Sequence, residues 1–393
     1  MSAKPTLAVL TPRFPHPIEK GDKLRMFHQL RALSQEFHVH LVALSDQKIN
    51  PKSLLAIQEI VSETTIIYQS KNRLVKAGIK SIFGSQPIQV NYYSESIVER
   101  KVKEAIEKIA PDVIYVQLVR IAHMVRFFKG PKAIDYMDAM SLNMKREASF
   151  RSVFTRFIFG LEAQRILKVE QSANVLFDEK FIISKPDKDY LNEKGVEGLE
   201  VISNGVDFSY FSPESSPKTE EKYDLAFIGN MGYLPNILAA EFLVNEIVKK
   251  STSTHKVLIA GARPHKRVKR LASDQVEISG WVDDIRDAYN SAKIIVAPIF
   301  SGAGQQNKIL EAMALGKICI TSPQVNKAIR AKEDEEIYIA RNTEGFINTI
   351  NHLLNNPDLC VEKGKNARNF VVNNFEWKTS GNLLNKKLLE LLK

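Results

Sequence analysis

Residues 293–321 read KIIVAPIFSGAGQQNKILEAMALGKICIT: two short apolar runs separated by a turn of small residues and a helical segment. The runs 293–299 and 317–321 have the composition of strands buried on both faces of a parallel sheet, and 305–315 has that of a helix. Ser301, Gly302, Ala303 and Gly304 make the turn, where glycine lets the backbone approach a ligand. A helix beginning there presents free N–H groups and the positive end of its dipole to an anion. Lys308 falls in the first turn and adds a full positive charge, and Glu311 lies one turn on, along the same edge. A cation for phosphate beside a carboxylate for sugar hydroxyls is what a nucleotide-sugar pocket requires. Gly304, Asn307, Lys308 and Glu311 are therefore the donor-binding candidates of this stretch.

Outward from it, β-rich runs alternate with helical segments to both ends of the chain, the mark of parallel βαβ sheets. Strands are expected near 6–10, 39–44, 65–68, 113–117, 133–136 and 181–184, then near 224–228, 256–260, 276–278, 294–298, 318–321 and 337–340. The stretch 212–224, SPESSPKTEEKYD, is rich in Ser, Pro and charge and reads as a linker. Two Rossmann-like halves follow. The absence of a short repeat excludes a solenoid. The last helix, 377–393, carries a stripe of Leu383, Leu384, Leu388, Leu389 and Leu392.

A chain of 393 residues, 44% hydrophobic, is long enough for two domains with cores of their own. With only two cysteines, Cys319 in an apolar run and Cys360 near a helix start, neither a disulfide framework nor a cysteine metal site is expected. The segment after Met1 has no leader pattern, and no apolar run approaches the length of a membrane span, so a cytoplasmic protein is expected. The net charge is +10 and concentrates in residues 1–190, with 29 Lys plus Arg against 20 Asp plus Glu. Within that half, 145–168 (KREASFRSVFTRFIFGLEAQRILK) alternates six basic residues with Phe150, Val153, Phe154, Phe157, Ile158, Phe159 and Leu161. Two readings stand: a helix in the plane of an anionic membrane surface, which would make the protein peripheral at the inner face of the plasma membrane, or a core helix with its basic residues in water. Nucleic acid is not expected as a partner, since no recognition motif accompanies the charge.

Several stretches, in order, resemble one family. Gln306, Asn307, Lys308, Leu310, Glu311, Ala312, Met313 and Ala314 resemble the donor motif of retaining glycosyltransferase family four, in the polysaccharide- and exosortase-associated branch. RFPHPIEKGDKLRMFHQL near the start, SNGVDFSYF at 203–211, FIGNMGYLPN at 227–236 and ISGWVDDI at 278–285 extend the resemblance over nearly the whole chain. It implies an α/β fold of the GT-B type: an acceptor domain over 1–205, a nucleotide-sugar domain over 206–375 facing it across a cleft, and a helix, 376–393, packing back on the first domain. It also implies transfer of a sugar from a nucleotide-sugar to a lipid-linked or glycan acceptor with retention of configuration. No metal or cofactor is expected beyond the donor, of UDP or GDP type. In the implied front-face mechanism the departing diphosphate itself helps to take the acceptor proton. One departure matters: the family's first motif glutamate falls on Ala303, and Gln305 or Gln306 would have to replace its hydrogen bonds to the sugar.

The remaining candidates lie on loops after strands, where open parallel sheets bind ligands. After the first strand, Lys20 stands where the family has one glycine and Gly21 keeps the other, which approaches the diphosphate; Lys23 and Arg25 follow, facing phosphate or acceptor, or simply entering a helix. Asn230 and Met231 occupy the place of a basic residue in relatives, which shifts weight to Lys308 and to Arg263, unless Arg263 is one of a solvated cluster with His265, Lys266 and Arg267. Val282, with Trp281, lies where the family binds the base through its backbone; no side-chain code then separates uridine, guanosine and adenosine. On the acceptor side stand Gln117, Arg120 and His123, then Asp135, Asp138 and Ser141. Asp138 is the candidate for orienting or deprotonating the acceptor hydroxyl, against the alternative of a helix cap, and His123 reads as a packed histidine. Asp187 and Asp189 form an Asp-x-Asp that suits a helix start as well as a cation. Two rivals remain, and a third class is disfavoured. A nucleotide-sugar epimerase would share the architecture, as would a binding protein that has lost catalysis; an NAD dehydrogenase lacks its Gly-x-Gly-x-x-Gly after the first strand.

Overall fold

The computed structural model describes residues 4–70, 73–149, 153–215, 219–301 and 304–393. Gly302 and Ala303 of the turn, residues 150–152 of the basic stretch and residues 216–218 of the Ser/Pro-rich stretch lie outside the described residues, as do the side chains of Val153 and Phe154. The chain divides into two compact units, 1–203 with 378–393, and 204–377.

The first unit is built on seven parallel strands: β1 Thr6–Thr11, β2 His38–Ser45, β3 Glu63–Tyr68, β4 Val113–Gln117, β5 Lys132–Met137, β6 Glu179–Ile182 and β7 Leu199–Val201, in the order β3-β2-β1-β4-β5-β6-β7. Strands such as VIYVQ in β4 are buried along their whole length, since helices cover both faces. Two apolar clusters form, one on each face. One joins Leu10, Val116 and Tyr136 to Val98 and Val102 of the helix Ser96–Ile109. The other joins Leu7, Leu41 and Tyr115 to Met26 and Leu30 of the helix Gly21–Glu36, and takes in Leu384 and Leu388 of the C-terminal helix Trp377–Glu390. That helix fits closely: a Cβ at Gly381 would come within 2.4 Å of the Ala32 side chain, and Asn385 donates to the Ala32 carbonyl at 2.8 Å.

The second unit has six parallel strands: β8 Tyr223–Ile228, β9 Val257–Ala260, β10 Val276–Gly280, β11 Ala292–Ala297, β12 Ile318–Thr321 and β13 Tyr338–Ile339, in the order β10-β9-β8-β11-β12-β13. The unit begins ahead of the Ser/Pro-rich stretch rather than within it. Arg286 explains why: its guanidinium lies 4.1 Å from the Tyr210 ring centre and donates to the carbonyls of Tyr210 and Ser215, so the residues entering that stretch are fastened to the second sheet's helices.

In each sheet the chain winds outward one way, returns and winds the other way. The reversals fall between β1 and β4 and between β8 and β11, and they open a crevice at the carboxyl ends of those strands.

Candidate functional site

In the second unit, Lys308 occupies that crevice. It lies in the first turn of the helix Asn307–Ala314, which follows β11, and reaches back over β8. Its Nζ is 4.9 Å from the centre of the Phe227 ring and donates to Asn236 Oδ1 at 2.5 Å. A Cβ at Gly229, just after β8, would meet Nζ at 2.8 Å, so glycine makes room for the ammonium. Gly261, after β9, is tighter still: a Cβ there would fall 1.9 Å from the Gly229 carbonyl oxygen. Burial pushes the Lys308 ammonium down to about 7, with Glu311 acting in the opposite sense.

Glu311 lies half-buried on the same helix, and Tyr289, fully buried, donates to its Oε2 at 2.8 Å. Burial raises the Glu311 carboxyl, and the Tyr289 hydroxyl and Lys308 partly offset the rise. Among the described residues no ion pair joins Lys308 to Glu311. Each is held by a neutral partner, which leaves its charge available to something else.

The other donor-side candidates take varied places around this pair. Gly304 has a φ of +73°, a left-handed conformation that suits glycine. Asn307 accepts from the Asn204 side chain at 3.1 Å. Gln305 is a correction: it is buried, donates to the Asn204 carbonyl at 2.9 Å and accepts from the Asn204 N–H at 3.0 Å, so both ends of its amide are spent on the backbone rather than on a sugar. Arg263 is exposed after β9, with a φ of +57°. Within its sequence cluster Arg267 pairs with Glu241. Val282 packs on the second unit's core, while Trp281 stands 65% exposed with its indole N–H on Asp283.

In the first unit, Gly21 opens its helix at the mouth of the β1–β4 crevice, exposed. The next residue, Asp22, pairs with Arg13 and accepts from Gln117 through its carbonyl at 2.8 Å. Lys23 is half-buried, close enough to His16 to oppose protonation of its imidazole. Arg25 is not on the acceptor side. It is fully buried beneath the sheet, where its guanidinium holds Asp135 at 2.5 Å and the Ile202 carbonyl at 2.7 Å. Gln29, Tyr115 and the Met137 N–H also donate to Asp135, so arginine and aspartate belong to one internal network.

Arg120 and Asp138 do come together. Burial raises the Asp138 carboxyl to about 7; the negative charge of Asp187 adds to the rise and the positive charge of Arg120 opposes it. The helix Met140–Ser149 that follows is entered through Ala139, whose N–H is satisfied by Asp187. Asp187 itself sits in the first turn of the helix Lys185–Asn192, capped by Ser184. His123 is a packed histidine, its Nε2 3.2 Å from both Glu99 and Ser94 and its protonated form disfavoured by burial. Leu118 after β4 and Met137 at the end of β5 both have left-handed backbones, with φ of +70° and +68°. Such conformations in bulky residues cost of order 1–3 kcal/mol and gather where a site needs them. Among the described residues no group of three or more His, Cys, Asp or Glu is placed to hold a metal ion.

Three residues of this geometry were not singled out in the sequence: Asn236, Phe227 and Tyr289. The first two lie within FIGNMGYLPN, a stretch whose resemblance pointed to them without giving either a role. Tyr289 carries no local signal.

Residues 222–356, well under half of the chain, match the family model described as "Glycosyl transferases group 1". A Klebsiella pneumoniae protein named "Uncharacterized 44.6 kDa protein in cps region" is 20% identical over 391 residues, 95% of this chain and 97% of that one. Among solved structures, the sucrose-phosphate synthase of Thermosynechococcus elongatus superposes with a TM-score of 0.72 at 15% identity, over 98% of this chain and 99% of that one. Anabaena HepE, in its complex with UDP-glucose, gives 0.69 at 13% identity over 98% and 99%. At such identities the structures speak for the fold alone: the pair of Rossmann-like units of the GT-B type, along essentially the whole chain. The matched domain supports a glycosyltransferase as the class of protein.

Proposed function

We propose that the chain transfers a sugar from a nucleotide-sugar to a lipid-linked or polysaccharide acceptor, with retention of configuration and no resident metal. The observation that carries the donor half is Lys308. A lysine amine over an aromatic ring at the switch point of a parallel sheet, held by an amide rather than a carboxylate, is a group that a bound anion would hold in its ammonium form. The helix N-terminus beside it adds its dipole. A diphosphate there meets Lys308 and the first N–H groups of Asn307–Ala314, while Glu311, oriented by Tyr289, takes ribose hydroxyls. Arg263, Gly304, Asn307 and the backbone at Val282 complete the donor set of the second unit. HepE, solved with UDP-glucose, supports a donor of this kind.

On the acceptor side the proposal assigns Asp138 to the acceptor hydroxyl. A carboxyl that titrates near 7 is poised to exchange a proton at neutral pH. Arg120 supplies the positive charge beside it, and Lys23 is proposed for the acceptor side of the same unit. Catalysis then rests on stabilising the leaving diphosphate, for which one preorganised donor contributes on the order of 2.7–4 kcal/mol. Lys308→Ala is accordingly expected to lower turnover about a hundredfold to a thousandfold while the protein remains folded. Donor and acceptor are identified by a thermal-shift screen with UDP, GDP, ADP and their sugars, followed by transfer assays with the donor found. Near-normal transfer by a folded Lys308→Ala protein rejects the role given to Lys308.

A further inference from the structure

The helix Arg73–Phe83 of the first unit is turned inside out. Among its described side chains the buried ones are Arg73, Ala77 and Ser81, each one turn from the next. Both polar members are satisfied: the Arg73 guanidinium lies 4.3 Å from the Tyr92 ring centre, and Ser81 accepts from the Asn91 side chain at 2.7 Å. The opposite side carries Leu74, Val75, Ile79 and Ile82, which are between 56% and 74% exposed. At 100° per residue these four span one broad apolar stripe facing water. An ordinary surface helix is built the other way round.

A second apolar surface adjoins it. Arg165 of the helix Val153–Leu176 donates to the Ser81 carbonyl at 2.8 Å, fixing that helix against the end of the first. Between one and two turns upstream of Arg165, roughly 6–12 Å along the axis, Leu161, Ile158 and Phe157 are also exposed. Soluble monomers rarely leave large apolar surface uncovered. Among the described residues the unpaired charges around it are basic, since the nearest carboxylates are taken up by the protein: Asp46 lies 4.0 Å from Arg73, and the buried Glu162 accepts from the Gln89 N–H. Lys76 and Lys80 share one flank of the first helix, Arg156 lies beside Phe157, and neither 73–83 nor 153–161 contains an acidic residue.

We propose that this face docks on an anionic lipid bilayer, with the stripe of 73–83 lying in the interfacial plane and Lys76, Lys80 and Arg156 against the headgroups. Apolar side chains rimmed by basic ones are the combination such a surface retains, and the charge complementarity favours lipid over a second copy of this basic chain. Among the described residues no helix is long and apolar enough to cross a membrane, so the contact is in-plane. The inference deepens the proposed function by giving a lipid-linked acceptor a place to be met, and it rests on that reading only for this purpose.

The test is flotation of the full chain with vesicles of phosphatidylglycerol and phosphatidylcholine in equal parts, or of phosphatidylcholine alone, at low and high salt. The protein is expected to float with the anionic vesicles at low salt only. Ile79→Glu with Ile82→Glu, both at exposed positions, and separately Lys76→Glu with Lys80→Glu, are expected to lower partitioning by roughly tenfold or more. The melting-temperature shift given by a nucleoside diphosphate should not change in either variant. Loss of that shift in the unaltered chain counts against the donor site, not against the membrane face. The proposal is overturned if the unaltered chain stays in the buffer at low salt, or if the Ile79→Glu, Ile82→Glu protein floats as well as it does. It is equally overturned if light scattering shows a dimer broken by Ile82→Glu and no flotation, since the face then belongs to a second copy.

Discussion

Lys308 and Asp138 have the same peculiarity from opposite sides: each is an ionisable group in surroundings that penalise its charge, and each therefore titrates near neutrality. For Asp138 the folded value of about 7 lies above the ordinary 3.8, so between those limits the native state holds the more protons and stability falls as pH rises. Asp138→Asn removes that penalty. Its melting temperature should exceed that of the unaltered protein clearly at pH 8 and hardly at pH 4, even as transfer activity drops; a difference independent of pH in thermal melts would show that the carboxyl is not held near 7. The spacing of Lys308 and Glu311 on one helix edge was legible in the sequence because it is local. Their partners were not, since Asn236 and Tyr289 come from other segments and a contact across dozens of residues leaves no periodic trace. Arg25 illustrates the reverse error. A basic residue in the first turns of a loop-entered helix reads as solvent- or ligand-facing, and only the placement of Asp135 on another strand makes it a core residue.

At the scale of elements, apolar runs of four to six residues were legible as strands because a parallel sheet buried on both faces demands them. β7 escaped notice: Leu199–Val201 is three residues long with Glu200 in the middle, too short to show a pattern. The helix Arg73–Phe83 has obvious amphipathic periodicity, but periodicity does not say which face turns inward, and here Arg73, Ala77 and Ser81 do. The C-terminal helix shows the ordinary case. Its leucine stripe predicted burial, and Leu384 and Leu388 are fully enclosed in the first unit's core despite lying at the far end of the chain. Leu388→Ala should therefore destabilise the first unit by about 2–5 kcal/mol in urea unfolding. If the transition of the first unit does not move, the helix is not part of that core.

The whole molecule uses one design twice. Both sheets run outward in the order 3-2-1 and then 4-5-6, and candidate residues follow the strands at each reversal: Gly21 and Arg120 at one, with Asp138 after the neighbouring β5, and Gly229, Lys308 and Glu311 at the other. Charge follows the same division, with nearly all of the net +10 in residues 1–190 and the enclosed cation in the second unit. The central claim is that Lys308 binds the diphosphate of the donor, and its depressed titration makes that claim measurable without any knowledge of the acceptor. Calorimetric titration of the full chain at pH 8 with the tightest binder among UDP, GDP and ADP, repeated in buffers of different ionisation enthalpy, counts the protons taken up. A lysine near 7 is mostly neutral at pH 8 when free and charged against a diphosphate, so uptake approaching one proton is expected, and Lys308→Met should abolish it. Binding without proton uptake, or with the same uptake in Lys308→Met, would contradict the account.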